Sequence, residues 1–141
     1  TMAVSGHRTR NEDHWANEAV RIIHREWNQP QLCVKQLADR LHLHRSSLSR
    51  RFEKAVGIPP VAYLVRLRVQ NALSMLKHTE KPIAEVAGLC GYNDPNYFAR
   101  LLHSYTGLSP RRFRIENKPQ QKRGRNQDLN LLAFRRPMPI D

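Results

Sequence analysis

Apolar residues recur at helical spacing along most of the chain, and the longest such stretch is 59–78. It begins with two prolines and contains no later proline or glycine. Its apolar positions lie three or four residues apart, as on one face of a helix: Val61, Leu64, Val65, Val69, Ala72, Leu73 and Leu76. Proline is tolerated in a first helical turn, where its missing N–H would have no partner. The pattern predicts one long helix over 59–78.

Six shorter helices are predicted by the same spacing, over 13–27, 34–41, 45–56, 83–90, 95–106 and 110–116. Residues that can cap a helix stand near three of the predicted starts: Asn11 or Asp13, Ser46 or Ser47, and Ser109. Gly57 and Gly107 follow the helices over 45–56 and 95–106 and are expected to end them. The sequence therefore predicts an all-α fold with about seven helices.

The two halves of the chain repeat one pattern. Val34, Leu37 and Ala38 match Ile83, Val86 and Ala87 at a shift of 49 positions. At a shift of 50, six residues match six others: Leu48, Phe52, Gly57, Ile58, Pro60 and Tyr63 match Phe98, Leu102, Gly107, Leu108, Pro110 and Phe113. The one-residue difference falls in a turn, where insertions are best tolerated. Because each copy is a short helix, a turn and a longer helix, the sequence predicts a duplicated helix–turn–helix.

Charge narrows the choice of partner. The 141 residues include 24 Lys or Arg and 12 Asp or Glu, a formal net charge of +12. Such a balance favours a polyanion, either nucleic acid or an anionic membrane surface. No apolar run is long enough for a membrane span, and no signal peptide is visible. Cys33 and Cys90 fit no paired motif and are expected to be reduced, buried thiols in the cytoplasm.

The outward faces of the two longer helices carry the candidate chemistry. A helix–turn–helix places its second helix in the DNA major groove. With Leu48 and Phe52 inward, the first copy leaves an outward set: Arg45, Ser46, Ser49, Arg50 and Glu53. With Phe98 and Leu102 inward, the second leaves another: Asn96, Tyr97, Arg100 and His103. Arginine suits guanine and asparagine suits adenine, while serine and tyrosine can contact bases or phosphates. We therefore expect these faces to bind DNA.

Residues 14–116 resemble the DNA-binding domain of AraC/XylS-type bacterial transcription regulators. The match is carried by the run from Gly91-Tyr-Asn-Asp-Pro-Asn-Tyr-Phe through Gly107-Leu-Ser-Pro to Phe113-Arg114. Leu48-Ser-Arg-Arg-Phe52, Gly57-Ile-Pro-Pro60 and Tyr63 are similar to the family's first-unit pattern. The chain departs from that pattern at Leu102, where phenylalanine is usual, and at Cys90 and Pro95.

The resemblance implies seven helices, with two recognition helices joined by a rigid connector. It implies that six residues face base edges: Ser46, Ser49, Arg50, Asn96, Tyr97 and Arg100. It also implies phosphate contacts near Arg45. Fuller members of this family carry a separate N-terminal effector or dimerisation domain. The chain is therefore expected to be either a single-domain member or a C-terminal domain separated from such a domain, and we favour the second. RNA polymerase is a further candidate partner.

We expect five segments along the chain: a flexible leader or linker over 1–12, a first helix–turn–helix over 13–58, a linker helix over 59–78, a second helix–turn–helix over 79–117 and a basic tail over 118–141. The linker helix is expected to hold the two recognition helices about 34 Å apart, the length of one DNA turn.

Other functions have weaker support in the sequence. His42 and His44 could form a metal-ligand pair, but they lack cysteine or acidic partners at useful spacing. No nucleophile–base set and no phosphate-binding glycine loop is visible, so we expect neither a cofactor nor enzymatic activity. Two alternatives stay open, a nonspecific nucleic-acid binder that depends on the basic tail and a protein-interaction module. The target sequence, activation against repression, any effector ligand and the oligomeric state are also open.

Overall fold

A computed structural model describes residues 2–119 of the chain, with side chains from residue 14 onward. It contains seven helices: α1 (Met2–Glu26), α2 (Val34–Arg40), α3 (Arg45–Val56), α4 (Pro60–His78), α5 (Ile83–Leu89), α6 (Pro95–Thr106) and α7 (Pro110–Glu116). No strand occurs in residues 2–119. The predicted all-α fold is confirmed. The predicted basic tail, apart from its first two residues, lies outside the described residues.

Helix α1 differs most from the prediction, since it begins at Met2 and not at residue 13. Residues 2–12, expected as a leader, are helical. They contain no proline and a single glycine, Gly6, so nothing in this stretch ends a helix. Asn11 and Asp13 therefore lie inside α1, and the prediction that one of them caps its start is wrong.

The chain divides into two compact units within α4, one over Thr1–Leu64 and the other over Val65–Asp141. The core of the first unit combines apolar residues of α1, α2 and α3: Ala16, Ala19, Ile22, Ile23, Leu37, Ala38, Leu48 and Phe52. The core of the second combines α4, α5, α6 and α7: Val65, Val69, Leu73, Leu76, Val86, Ala87, Phe98, Leu102 and Phe113. The apolar face predicted for the long helix thus lies mostly in the second core.

The hydrogen bonds of the two turns repeat. The N–H of Leu43 donates to the carbonyl of Ala38 over 2.9 Å, and the N–H of Tyr92 donates to that of Ala87 over 2.9 Å. Helices α3 and α6 both end at a left-handed glycine, Gly57 with φ 101° and Gly107 with φ 80°. Glycine takes this conformation without a Cβ clash, as predicted for both positions.

The starts of α3 and α6 differ. Helix α3 begins after His44, which makes no side-chain cap bond, and Ser46 and Ser47 fall in the first helical turn. The prediction that one of these serines caps α3 is therefore wrong. Helix α6 begins after Asp94, whose carboxylate accepts a 3.0 Å bond from the N–H of Asn96. A cap of this type stabilises a helix by about 1 kcal/mol.

Helix α7 contacts the end of α4. Ser109 caps α7 by accepting a 3.2 Å bond from the N–H of Arg112, as predicted. Nε of Arg114, two residues after Arg112, donates to the carbonyl of Leu76 over 2.9 Å. That carbonyl lies in the final turn of α4, where helical partners run out. A side chain of α7 thus satisfies the backbone of α4.

The two cysteines are free, and their environments differ. Cys90 is buried and Cys33 is exposed, so the expectation of two buried thiols is wrong for Cys33. Cys33 lies at the N-cap of α2, with φ −149°, and so stands outside the helix that it precedes. Burial raises the pKa of the Cys90 thiol to about 11.

Candidate nucleic-acid interface

Helix α3 is the second helix of the first helix–turn–helix, and its buried side is fixed by two core residues. Leu48 and Phe52 are fully buried, as the spacing predicts. Four predicted DNA-binding residues lie on the other side: Arg45, Ser46 and Arg50 are exposed, and Ser49 is half-buried. These side chains can reach a large partner without any rearrangement of the core.

Two contacts outside the core help to hold the first unit together. Nη1 and Nη2 of Arg40 donate to the two carboxylate oxygens of Glu26 over 2.6 and 2.9 Å, joining α2 to α1. This bond holds the pKa of Glu26 below its usual value. Tyr63, in the first turn of α4, lies 2.7 Å from Nε2 of His24 through its hydroxyl, and its ring packs 5.6 Å from that of Phe52. The second half of α3 is thereby in contact with the first turn of α4 through Phe52 and Tyr63.

Helix α6 is the second helix of the second helix–turn–helix. Its inner side is fully buried at Phe98, Leu101 and Leu102. Leucine at 102, where the resemblance leads one to expect phenylalanine, is still completely covered. Asn96, Arg100 and His103 are exposed, as the spacing predicts, and Tyr97 is half-buried. The exposed residues lie at i, i+4 and i+7 and so share one face of the helix.

Tyr97 differs from the other predicted contact residues because its ring contacts two other side chains. Its centroid lies 5.9 Å from that of Tyr92, with 45° between the ring planes. The guanidinium carbon of Arg100 lies 5.8 Å from the same Tyr97 ring. The Tyr97 ring therefore contacts both a buried tyrosine and an exposed arginine.

Two residues that support α6 were not predicted from the sequence. Arg68 lies against the turn before α6, and Asp94 caps the start of α6. Arg68 is 6 % exposed, lies on α4 and points at the turn before α6. Its position was visible in the pattern, since it lies four residues after Leu64 and four before Ala72 on the apolar face. A charged residue at such a position indicates a specific buried partner.

Two negative observations concern the described part of the chain. Among residues 2–119, no three His, Cys, Asp or Glu side chains come together in a way that could hold a metal ion. None of the seven helices has the length and apolar composition needed to cross a lipid bilayer.

Comparison with known proteins identifies this arrangement. A family model described as a helix-turn-helix domain matches residues 37–115, which run from α2 to α7. The chain belongs to the AraC-type helix-turn-helix family. It is thus a DNA-binding domain of the kind found in transcription regulators, a family of non-enzymes, as the sequence predicted.

Individual relatives agree with this assignment. The HTH-type transcriptional activator RhaS of Shigella boydii serotype 18 is 33% identical over 103 residues, which are 73% of this chain and 32% of RhaS. The C-terminal domain of AraT, a response regulator from Geobacillus stearothermophilus, superposes with a TM-score of 0.71 at 26% identity, over 79% of this chain and 93% of that domain.

A DNA complex is among the similar structures. The DNA-binding domain of the global transcriptional factor AdpA, solved with a target DNA, has a TM-score of 0.66 at 29% identity, over 72% of this chain and 90% of that one. The present chain spans about a third of the length of the curated relatives it matches.

Proposed function

We propose that this chain binds double-stranded DNA sequence-specifically, with α3 and α6 reading successive major grooves, and that it regulates bacterial transcription. The observation that carries the proposal is the duplication, in which both units present an exposed arginine, Arg50 or Arg100, in the middle of the second helix of a helix–turn–helix. The net charge of +12 adds attraction for the phosphate backbone.

Each exposed side chain has a role that suits its chemistry. Arg50 and Arg100 bind guanine through two hydrogen bonds, and Asn96 binds adenine in the same way. Ser46, Ser49 and His103 contact base edges or nearby phosphates, and Arg45 binds phosphate at the start of α3. Leu48 and Phe98 support these assignments, because their complete burial fixes which side of each helix faces away from the core.

The direct test is selection of bound duplexes from a random DNA pool by the 141-residue chain, followed by gel shifts. We expect one sequence to be enriched and a scrambled duplex of equal length to bind at least ~10³-fold more weakly. Affinity for both should fall steeply with salt, because binding releases counterions. Equal affinity for selected and scrambled duplexes would contradict sequence-specific reading.

The use of successive grooves has its own test. Insertion of about 5 base pairs, half a helical turn, between the two halves of the selected sequence turns one half to the opposite side of the duplex. We expect this insertion to weaken binding strongly, whereas insertion of the same length outside the site leaves it unchanged. If the chain tolerates both insertions, only one unit reads DNA.

The larger assembly is part of the proposal. We propose that the chain is the C-terminal DNA-binding part of a cytoplasmic regulator, with an N-terminal effector or dimerisation domain and contact to RNA polymerase. The 32% coverage of the activator RhaS supports this, because two thirds of that relative lies outside the matched part. A reporter gene downstream of the selected DNA sequence tests the regulation. The full regulator, in which this chain is joined to its N-terminal domain, should raise transcription. The present chain alone should bind the DNA without the same response to an effector.

Two further measurements separate this function from the alternatives. Removal of the basic tail, residues 118–141, should lower the affinity through lost phosphate attraction and keep the preferred sequence. Complete loss of binding would indicate a nonspecific binder that depends on the tail. Binding to a partner protein with no affinity for any duplex at low salt would indicate a protein-interaction module.

A further inference from the structure

Four side chains of the second unit form a continuous stack from the core to the surface. The guanidinium carbon of Arg68 lies 5.2 Å from the ring centroid of Tyr92. The rings of Tyr92 and Tyr97 lie 5.9 Å apart, and the guanidinium carbon of Arg100 lies 5.8 Å from the Tyr97 ring. All three distances fall within the range of attractive cation–ring or ring–ring contact. We call these four residues the Arg–Tyr stack.

The inner end of the Arg–Tyr stack is held firmly. Arg68 is 6 % exposed, and its Nε lies 3.0 Å from the place that a Cβ on Gly91 would occupy. Tyr92 is 8 % exposed, and burial raises the pKa of its hydroxyl to about 12. The Tyr92 ring therefore stays neutral at physiological pH, so it does not add a buried charge next to Arg68. The ring centroid of its second aromatic neighbour, Phe98 on the buried face of α6, lies 5.8 Å from that of Tyr92.

The outer end of the Arg–Tyr stack is a residue whose orientation matters for recognition. Arg100 is exposed, and a free arginine side chain must be ordered before it can form two hydrogen bonds with a base. Tyr97 lies three residues earlier on the same helix and presents its ring to the guanidinium. A ring in this place restricts the orientations of Arg100 before DNA arrives, which lowers the ordering cost on binding.

We infer that Tyr97 is a positioning residue for Arg100, held in place by Tyr92 and Arg68, and that it determines specificity through Arg100 and not through a base contact of its own. The inference rests on the proposed function, because it assumes that Arg100 reads a base. It changes the role expected for Tyr97 from the resemblance, which placed this residue among those that face base edges. It also gives the buried residues Arg68 and Tyr92 a part in recognition although neither is exposed enough to touch DNA.

The test is a double-mutant cycle on the 141-residue chain with the duplex that the wild-type chain selects. Single base-pair changes in that duplex first locate the pair at which Arg100→Ala loses its preference. Selectivity is then the ratio of Kd values for the changed and unchanged duplexes, a ratio that does not depend on the fraction of folded protein. We expect Tyr97→Leu to lower selectivity at that pair roughly 2- to 5-fold, the value of an exposed cation–π contact.

Controls fix the mechanism. Tyr97→Phe keeps the ring and should keep wild-type selectivity, and Tyr97→Leu should have no further effect once Arg100 is alanine. In the chain without DNA, Tyr97→Leu should also shift the NMR signal of the Arg100 Nε–H, because the ring current is lost, whereas Tyr97→Phe should leave it near its wild-type position.

Each contrary result has a distinct meaning. Additive effects of Tyr97→Leu and Arg100→Ala, or equal damage from Tyr97→Phe and Tyr97→Leu, would show that Tyr97 contacts DNA itself and would overturn the inference alone. An unchanged Arg100 signal in Tyr97→Leu would show that the outer contact of the stack does not form. If the wild-type chain enriches no sequence from the random pool, the proposed function fails and the inference fails with it.

Discussion

His42 and Gly91 hold the same place in the turns of the two units, and both have a left-handed backbone, with φ of 58° and 93°. They lie 49 positions apart, the shift that relates the two short helices. A non-glycine residue in this region costs roughly 1–2 kcal/mol because its Cβ approaches the following carbonyl. The first unit therefore carries a strain that the second avoids.

Substitution of His42 by glycine should remove that strain. We expect His42→Gly to raise the free energy of unfolding by about 0.5–1 kcal/mol, since the greater freedom of glycine in the unfolded chain offsets part of the gain. Urea denaturation measures the change. His42→Ala is the matched control, because alanine removes the imidazole but keeps the Cβ that is strained at a φ of 58°. A gain in both variants, or in neither, would contradict the role of φ.

Gly91 should be harder to replace than the two glycines that end the recognition helices. A Cβ at Gly91 would lie 3.0 Å from Nε of Arg68, whereas nothing lies within 4 Å of a Cβ at Gly57 or Gly107. Gly57→Ala and Gly107→Ala should each cost about 1–2 kcal/mol, the conformational part alone. Gly91→Ala should cost more, and the added Arg68→Met substitution should recover part of the excess. Equal thermal unfolding midpoints for the three alanine variants would exclude a steric role for Arg68.

Helix α6 is capped by Asp94 and α3 has no side-chain cap, so substitutions at the two N-cap positions should change stability in opposite directions. Asp94→Ala removes the bond to the N–H of Asn96 and should destabilise the chain by about 1 kcal/mol. His44→Ser supplies a hydroxyl to the uncapped start of α3 and should stabilise it by up to a similar amount. Thermal unfolding of both variants and of the double variant checks this. Because the two caps lie in different units, the double variant should show the sum of the single effects.

The two central arginines should each control one position of the bound DNA. Arg50→Ala and Arg100→Ala are expected to lose about 1–3 kcal/mol of discrimination at a single base pair, and the two pairs should differ. Competition gel shifts with singly changed duplexes measure this. Arg111→Ala, at an exposed position of α7, is the matched control and should leave the preferred sequence unchanged. Uniform weakening across all duplexes would instead make Arg50 or Arg100 a phosphate contact.

The buried Cys90 thiol should make stability fall in alkali. Its pKa rises from 9.0 to about 11 on folding, so the folded state keeps this proton between pH 9 and 11 while the unfolded state loses it. Stability is therefore lost as the pH rises through that range, by at most about 2–3 kcal/mol.

The contribution of Cys90 can be isolated by substitution. Urea denaturation under reducing conditions at pH 8 and pH 11 should show a smaller loss of stability for Cys90→Ala than for the wild type. Cys33→Ala, at the exposed cysteine, should keep the wild-type pH dependence. A Cys90→Ala variant with the same alkaline loss as the wild type would contradict the prediction. The buried Tyr92 and Tyr105, whose pKa values are also raised, are common to all three proteins.

The sequence predicted what depends on local pattern. Helices α3 and α6 begin and end where apolar spacing and the closing glycines place them, at 45–56 and 95–106. The inward positions of Leu48 and Phe98 follow from the same spacing. The start of α1 could not be predicted in this way, because the apolar residues of 2–12 do not recur at helical spacing. That these residues are helical follows only from the structure.

The surroundings of Tyr97 could not be predicted because they depend on contacts between distant parts of the chain. Helical spacing places Tyr97 beside the outward face of α6, and that much was confirmed by its half-burial. Its packing on Tyr92, and the packing of Tyr92 on Arg68, join residues from a turn and from α4. A charged residue on an apolar stripe was the one local sign of this arrangement.

The bond from Arg114 to Leu76 has a consequence for the order in which the protein folds as it is made. It joins residues 38 positions apart, and it supplies a side chain of α7 to a backbone carbonyl at the end of α4. A ribosome adds about 5–20 residues each second from the N-terminus onward. The first unit, over Thr1–Leu64, is complete well before Arg114 is synthesised, so it can fold while the second is still emerging. The hydrogen bond between Arg114 and Leu76, at the end of α4, can form only later.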